Sequence, residues 1–168
     1  MVLRAPWFHL ARRFVATVLG RFELENQQVL ERYVSVPEHA LFKAMTSADQ
    51  RHCFDLFERL RVDGHSDPDL LRAALLHDVG KATVRIPVVV RVIYTLAVRL
   101  SPRVADWLAF SGMGWRRPFF VVTHHARLGA AAAQRAGSNE RVAALIAGHG
   151  ARGADVLSQT LYDYDCRM

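Results

Sequence analysis

LRAALLHDVGKA, residues 71–82, begins as an apolar run and ends on an imidazole, a carboxylate and an amine. Just upstream, Asp67-Pro68 has the form of an N-cap followed by proline at the first helical position. A helix is therefore predicted to open there and end at His77, and Gly80 suits the break after it. His77 has a plain structural explanation, as a ring that satisfies the last carbonyls of the helix. His-Asp together also offers an imidazole and a carboxylate to a metal ion. Two ligands do not make a site, so the partners have to come from elsewhere in the chain.

The surrounding chain also reads as helical. Ser101-Pro102 repeats the N-cap pattern before RVADWLAF, and SGMGW ends that segment. Gly137-Ser138 separates HHARLGAAAAQRA from NERVAALIAGH, and ADVLSQTLYDYD is a last helix. Strand alternation is scarce, with IPVVV as the ambiguous exception. Phe8, Ala11, Val15 and Val18 fall at helical spacing and predict an amphipathic N-terminal helix. Seven or more short helices with brief connections predict an all-α domain.

The chain has 168 residues, 51% of them hydrophobic, which suits one domain with a substantial core. Its net charge is +6. Between Val79 and Asn139 nine basic residues face a single acid, Asp106. Such a bias favours an anionic partner, although most of these arginines are expected to solvate helix faces. Cys53 and Cys166 are far apart, without metal-like spacing, and fit a reducing cytoplasm. The N-terminus is not read as a secretory signal, because Arg12 and Arg13 interrupt its apolar run. IPVVVRVIYTLAVRL is too short to span a bilayer and carries Arg91 and Arg99.

Histidines and acids recur at the ends or faces of different predicted helices: His52, His77, Asp78, His124, His125, His149 and a late Asp. No local zinc signature is present, neither H-E-x-x-H nor C-x-x-C. Long-range spacing of this kind suits a bundle in which each helix adds one ligand to a central metal. Imidazole with carboxylate fits Fe, Mn, Zn or Mg alike.

His52, then HDVGK at residues 77–81, then a distal Asp resembles the HD-domain superfamily of metal-dependent phosphohydrolases. HARLGA, residues 125–130, is similar to that family's H-x-x-x-G-A segment, and ALIAGH, ending at His149, to its next His-bearing helix. The resemblance covers roughly residue 42 to the C-terminus. It implies an HD-like helical bundle in which His52, His77, Asp78 and the late Asp bind one metal and His125 and His149 hold a second. One or two divalent ions are implied, with Fe, Mn, Mg, Zn and Ni indistinguishable. After His149 comes Gly150, with no second His-Glu and no G-Y-P, so the cyclic-di-GMP branch (HD-GYP) does not fit. The Glu-Asp pair of the alarmone hydrolases is also missing. The layout is nearer to small bacterial HD proteins.

Two positions require a choice. His124 and His125 point about 100° apart on a helix, so they do not both face one metal. His125 has Gly129 and Ala133 on its face and occupies the family's position, so it is assigned. His124 is left as a substrate-facing or exposed group. Asp163 and Asp165 both lie in LYDYD, but Asp165 shares a stripe with Leu157 and Leu161. A carboxylate on an apolar stripe needs a reason, and a metal is one, so Asp165 is assigned.

The resemblance implies cleavage of a phosphoester or phosphoanhydride bond in a small nucleotide-like substrate by a metal-activated water. In that scheme Asp78 bridges the metals through its two oxygens, Lys81 stabilises charge on the phosphoryl oxygens, and Arg116 and Arg117 orient other phosphates. The alternative is an HD scaffold that binds a nucleotide or partner as a sensor with little turnover. Nucleic acid is not expected as the partner. The whole chain is read as one HD domain, with residues 1–41 as a helical N-terminal extension and 84–118 as a helical insert. That insert is a candidate lid, homodimer face or peripheral membrane contact.

Overall fold

The computed structural model describes residues 24–84, 86–150 and 155–168. The amphipathic helix expected around residues 8–18 lies outside them. Among the described residues the fold is all-α, with no strand. The α-helices are α1 (Leu24–Tyr33), α2 (Val36–Ala44), α3 (Ser47–Val62), α4 (Pro68–Leu76), α5 (Val88–Leu100), α6 (Pro102–Ala109), α7 (Arg117–Arg135), α8 (Glu140–Gly148) and α9 (Val156–Arg167). Short 3-10 turns at Val79–Thr83 and Gly114–Arg116 follow α4 and precede α7.

Helix α4 is the central element. Asp67 caps it, its carboxylate accepting from the Asp69 and Leu70 amides at 3.0 and 2.9 Å. Proline at N1 gives up only an amide that has no intrahelical partner anyway. Leu70, Leu71, Ala73, Ala74, Leu75 and Leu76 are all buried. Burial of this kind contributes about 1.5–3 kcal/mol per leucine, so α4 is anchored on nearly every side, by α3, α8 and the first two helices. Leu30 and Val34 belong to the same core, so the described part of the 1–41 extension packs into the bundle.

Helix α7 crosses the 3-10 turn at very close range. A Cβ on Gly80 would collide with the carbonyl of His125 and lie 2.7 Å from the Gly129 amide. The Gly129 position is tight in return, with a Cβ there 3.1 Å from the Gly80 amide. The sequence reading of Gly80 as a chain-breaking cap needs correction. It is not among the positive-φ glycines, and its backbone continues into the turn. Glycine is required there because another backbone passes over it. Gly137, by contrast, has a φ of 94° and ends α7, with the Ser138 amide returning to the Ala133 carbonyl at 2.9 Å. Asn139 then caps α8 by accepting from the Val142 amide.

The insert folds as the pair α5–α6. IPVVV is no strand: Ile86 is buried, Pro87 precedes the helix and the valines begin α5. The pair has a small core of its own, in which Ala97, Ala105, Leu108 and Phe119 are joined by Val90 and Tyr94. Arg91 ties it to the main bundle through a two-pronged ion pair with the buried Asp49, both contacts at 3.1 Å. No described helix is long and apolar enough to cross a membrane.

Candidate metal centre

Five elements bring six side chains to one point. His52 comes from α3, His77 and Asp78 from the end of α4, His125 from α7, His149 from the end of α8, and Asp165 from α9. Three overlapping sets have ligand atoms that all lie within 4.8 Å of one another: His52–His77–Asp78, His77–His149–Asp165 and Asp78–His125–His149. The C-terminal ends of α4 and α8 both face this point, and their partial negative charge favours a cation.

Three of the rings are held in the same way. Nδ1 of His77 lies 2.9 Å from the Ala74 carbonyl, that of His125 2.7 Å from Val122, and that of His149 2.6 Å from Ile146. A carbonyl only accepts, so each Nδ1 must carry the proton, and each Nε2 presents a lone pair. His77 thus satisfies its helix end with one nitrogen and turns the other towards the cluster.

The lone pairs converge on Asp78. Its Oδ1 lies 3.7 Å from His77 Nε2, 3.5 Å from His125 Nε2 and 4.0 Å from His149 Nε2. Both Asp78 Oδ1 and His77 Nε2 are buried without a hydrogen-bond partner. His125 Nε2 and His149 Nε2 are only 3.2 Å apart. On the far side His52 Nε2 meets Asp165 Oδ1 at 2.8 Å, and the same oxygen is 3.7 Å from His77 Nε2. Buried acceptors facing one another without a donor are costly, and a cation among them removes the cost. The donor set therefore fits a divalent metal.

The protonation states agree. Burial, reinforced for His125 by Lys81 and for His149 by His77, lowers both imidazoles to about 4. Burial also lowers His77. All three are therefore neutral imidazoles at pH 7. Burial opposes ionisation of Asp78, yet its neighbours hold the carboxyl well below the usual range. With the imidazoles neutral, Lys81 is the neighbour that carries charge, its Nζ 2.6 Å from Asp78 Oδ2. Burial likewise opposes ionisation of Asp165, but the His52 hydrogen bond lowers it.

No family model, curated protein or solved structure matches the chain significantly. The helical architecture and the clustered His and Asp residues are nonetheless compatible with an HD-like fold.

The other residues singled out from sequence take different places. Asp163 accepts from Gln159 at 2.8 Å. His124 stacks on Phe120, ring centroids 4.2 Å apart, and its Nδ1 bonds the Phe120 carbonyl. Arg116 lies over the Trp107 ring at 3.9 Å, and Arg117 is exposed at the start of α7. None of these four joins the cluster. Of the two Asp78 oxygens expected to bridge, Oδ2 is held by Lys81 and only Oδ1 faces the three imidazoles.

Two further residues, neither assigned to the site from sequence, stand beside it. Cys53 Sγ is 3.7 Å from His77 Nδ1, and burial raises its thiol well above the ordinary range. Asp49 is buried and bonded to both Thr46 and Arg91. The Thr46-x-x-Asp49 spacing signals a helix start. Nothing local signals a partner 42 residues away.

Proposed function

We propose that the chain is a metal-dependent phosphohydrolase of the HD type, cleaving a phosphoester or phosphoanhydride bond in a small nucleotide-like substrate. One observation carries this reading: the buried, unpartnered Asp78 Oδ1 surrounded by the Nε2 atoms of His77, His125 and His149. His52, His77, Asp78 and Asp165 would hold one divalent ion, and Asp78, His125 and His149 a second. Bound there, such ions supply Lewis acidity and a water acidic enough to ionise near neutral pH.

The chain's own groups divide the remaining tasks. The carbonyls of Ala74, Val122 and Ile146 fix the ring orientations, so no rotamer search precedes binding. His77, Asp78 and His149 are shut away from solvent, while His125, Lys81 and Asp165 are 18, 21 and 27% exposed and form the open side. A phosphate entering there meets the Lys81 ammonium, a compact charge suited to phosphoryl oxygens. The basic middle third favours anionic substrates.

The test is elemental analysis of the purified protein, followed by a panel of nucleotides and aryl phosphates with Mn or Ni added. Stoichiometric metal and metal-dependent turnover that Asp78→Ala abolishes are expected. Absence of bound metal, with no activity gained on adding any, sinks the reading. Bound metal without turnover across the panel would instead favour the nucleotide-sensing scaffold.

A further inference from the structure

Helix α5 has an apolar outer face. Val88, Val89, Val92, Ile93, Leu96 and Leu100 are 44–82% exposed. At about 100° per residue they fall within an arc of about 140°, with the exposed Arg99 near one edge of it. The opposite side, Val90, Tyr94 and Ala97, packs on α6 and α7. A helix on the surface of a protein in water normally turns its polar side outwards. Isolated exposed apolar residues are ordinary, but a continuous stripe marks an interaction surface. On and after α6 the same insert exposes Trp107, Phe110, Met113 and Trp115, by 53–81%.

The charge of this segment says what the stripe meets. Residues 84–118 hold six arginines and one acid, Asp106, a net +5 of the chain's +6. Two copies facing each other through such a surface would repel. An acidic bilayer offers the complement: anionic headgroups for the arginines, and an acyl boundary for the stripe. Arg116 over Trp107 adds an aromatic–cation pair, and tryptophan is at home at that depth. At 13 residues α5 is too short to span a bilayer, so it would lie along the surface.

We propose that the α5–α6 insert seats the protein on an anionic lipid surface, with the α5 stripe at the headgroup–acyl boundary. This does not depend on the metal centre or on any catalytic reading of it. The Asp49–Arg91 ion pair and the small core against α7 fasten the insert to the bundle.

The experiment is co-sedimentation of the full chain with vesicles of equal parts phosphatidylcholine and phosphatidylglycerol, and with phosphatidylcholine alone. Binding to the anionic vesicles that weakens with salt is expected, with little to the neutral ones. Leu96→Glu/Phe110→Glu should weaken it by tenfold or more, on the order expected for losing buried apolar area. Arg99→Gln/Arg103→Gln should weaken it about fivefold per charge removed. All four positions are exposed, so circular dichroism and Tm should stay as in the parent. The proposal is overturned by no binding to the anionic vesicles, or by equal binding to both kinds. Binding that survives both double variants would place the contact elsewhere in the chain and also overturn it. So would a stable dimer that Leu96→Glu/Phe110→Glu disperses, because the stripe would then be a self-interface.

Discussion

The Nε2 atoms of His125 and His149 stand 3.2 Å apart, and both rings spend their Nδ1 proton on a backbone carbonyl. Two lone pairs at that distance repel unless a cation joins them. Stripping metal with a chelator should lower Tm, and restoring Mn to a hundredfold excess over its Kd should recover roughly 3 kcal/mol. In His125→Ala and His149→Ala, elemental analysis should show about one metal equivalent lost. Unchanged metal content in both would remove these residues from the centre.

The same two rings set a pH dependence for the metal-free protein. Their folded values of about 4 lie below the ordinary 6.5. Between those limits the unfolded chain binds more protons, so stability rises with pH. The contribution is fully present above 6.5 and is lost as pH falls to about 4. Thermal melts of metal-free protein should show Tm dropping through that window, on the order of a few kcal/mol in all. A flat profile would mean that the rings are not held neutral.

Lys81 pairs with the buried Asp78 while remaining partly open to solvent. Burial works against its charge, but Asp78 raises its pKa above the usual lysine value. Lys81→Met keeps the side-chain length and removes the ammonium. Turnover should fall about a hundredfold, in line with the loss of one electrostatic contact to the transition state. Metal content should be retained. Turnover within twofold of the parent would mean that Lys81 only balances Asp78.

The Gly80–Gly129 crossing gives a sharp contrast between glycines. Gly80→Ala drives a methyl into the His125 backbone, which cannot step aside without moving α7. A loss of about 3 kcal/mol or more is expected, read by denaturant melts. Gly148→Ala meets nothing nearer than Ser158 Oγ at 3.8 Å. It should be neutral or gain up to about 1 kcal/mol from helix propensity.

Asp49 is the point where the insert is fastened. Asp49→Ala removes both prongs of the Arg91 pair and the bond to Thr46. A cost of roughly 2 kcal/mol is expected, with faster amide exchange concentrated in α5 and α6. Uniform change along the chain would mean that the insert is held by its packing alone.

Much of this architecture was legible in local chemistry. Asp67-Pro68 caps α4 as its residue types demand, and Gly137-Ser138 ends α7. Asp165, on the Leu157–Leu161 stripe, lies in the cluster and Asp163 outside it; His125, marked by small neighbours and by the family's position, lies in it and His124 outside. What stayed hidden depends on distance. The need for glycine at position 80 comes from a backbone more than forty residues away, and the partner of Asp49 is a side chain 42 residues away. The IPVVV stretch that opens α5 was ambiguous for a different reason. Periodicity marks a helix only when one side is polar, and here both the packed and the exposed sides are apolar.

The Lys81–Asp78 pair has a further consequence. Lys81 occupies Oδ2, so Asp78 turns only Oδ1 towards the imidazoles. The ammonium is a built-in counter-charge, and it keeps a buried carboxylate ionised with no cation beside Oδ1. The acceptors of the centre are thus already deprotonated, and a cation arriving there displaces no proton from Asp78. The same ammonium lies partly open to solvent, so one charge serves both the buried carboxylate and the entrance beside it.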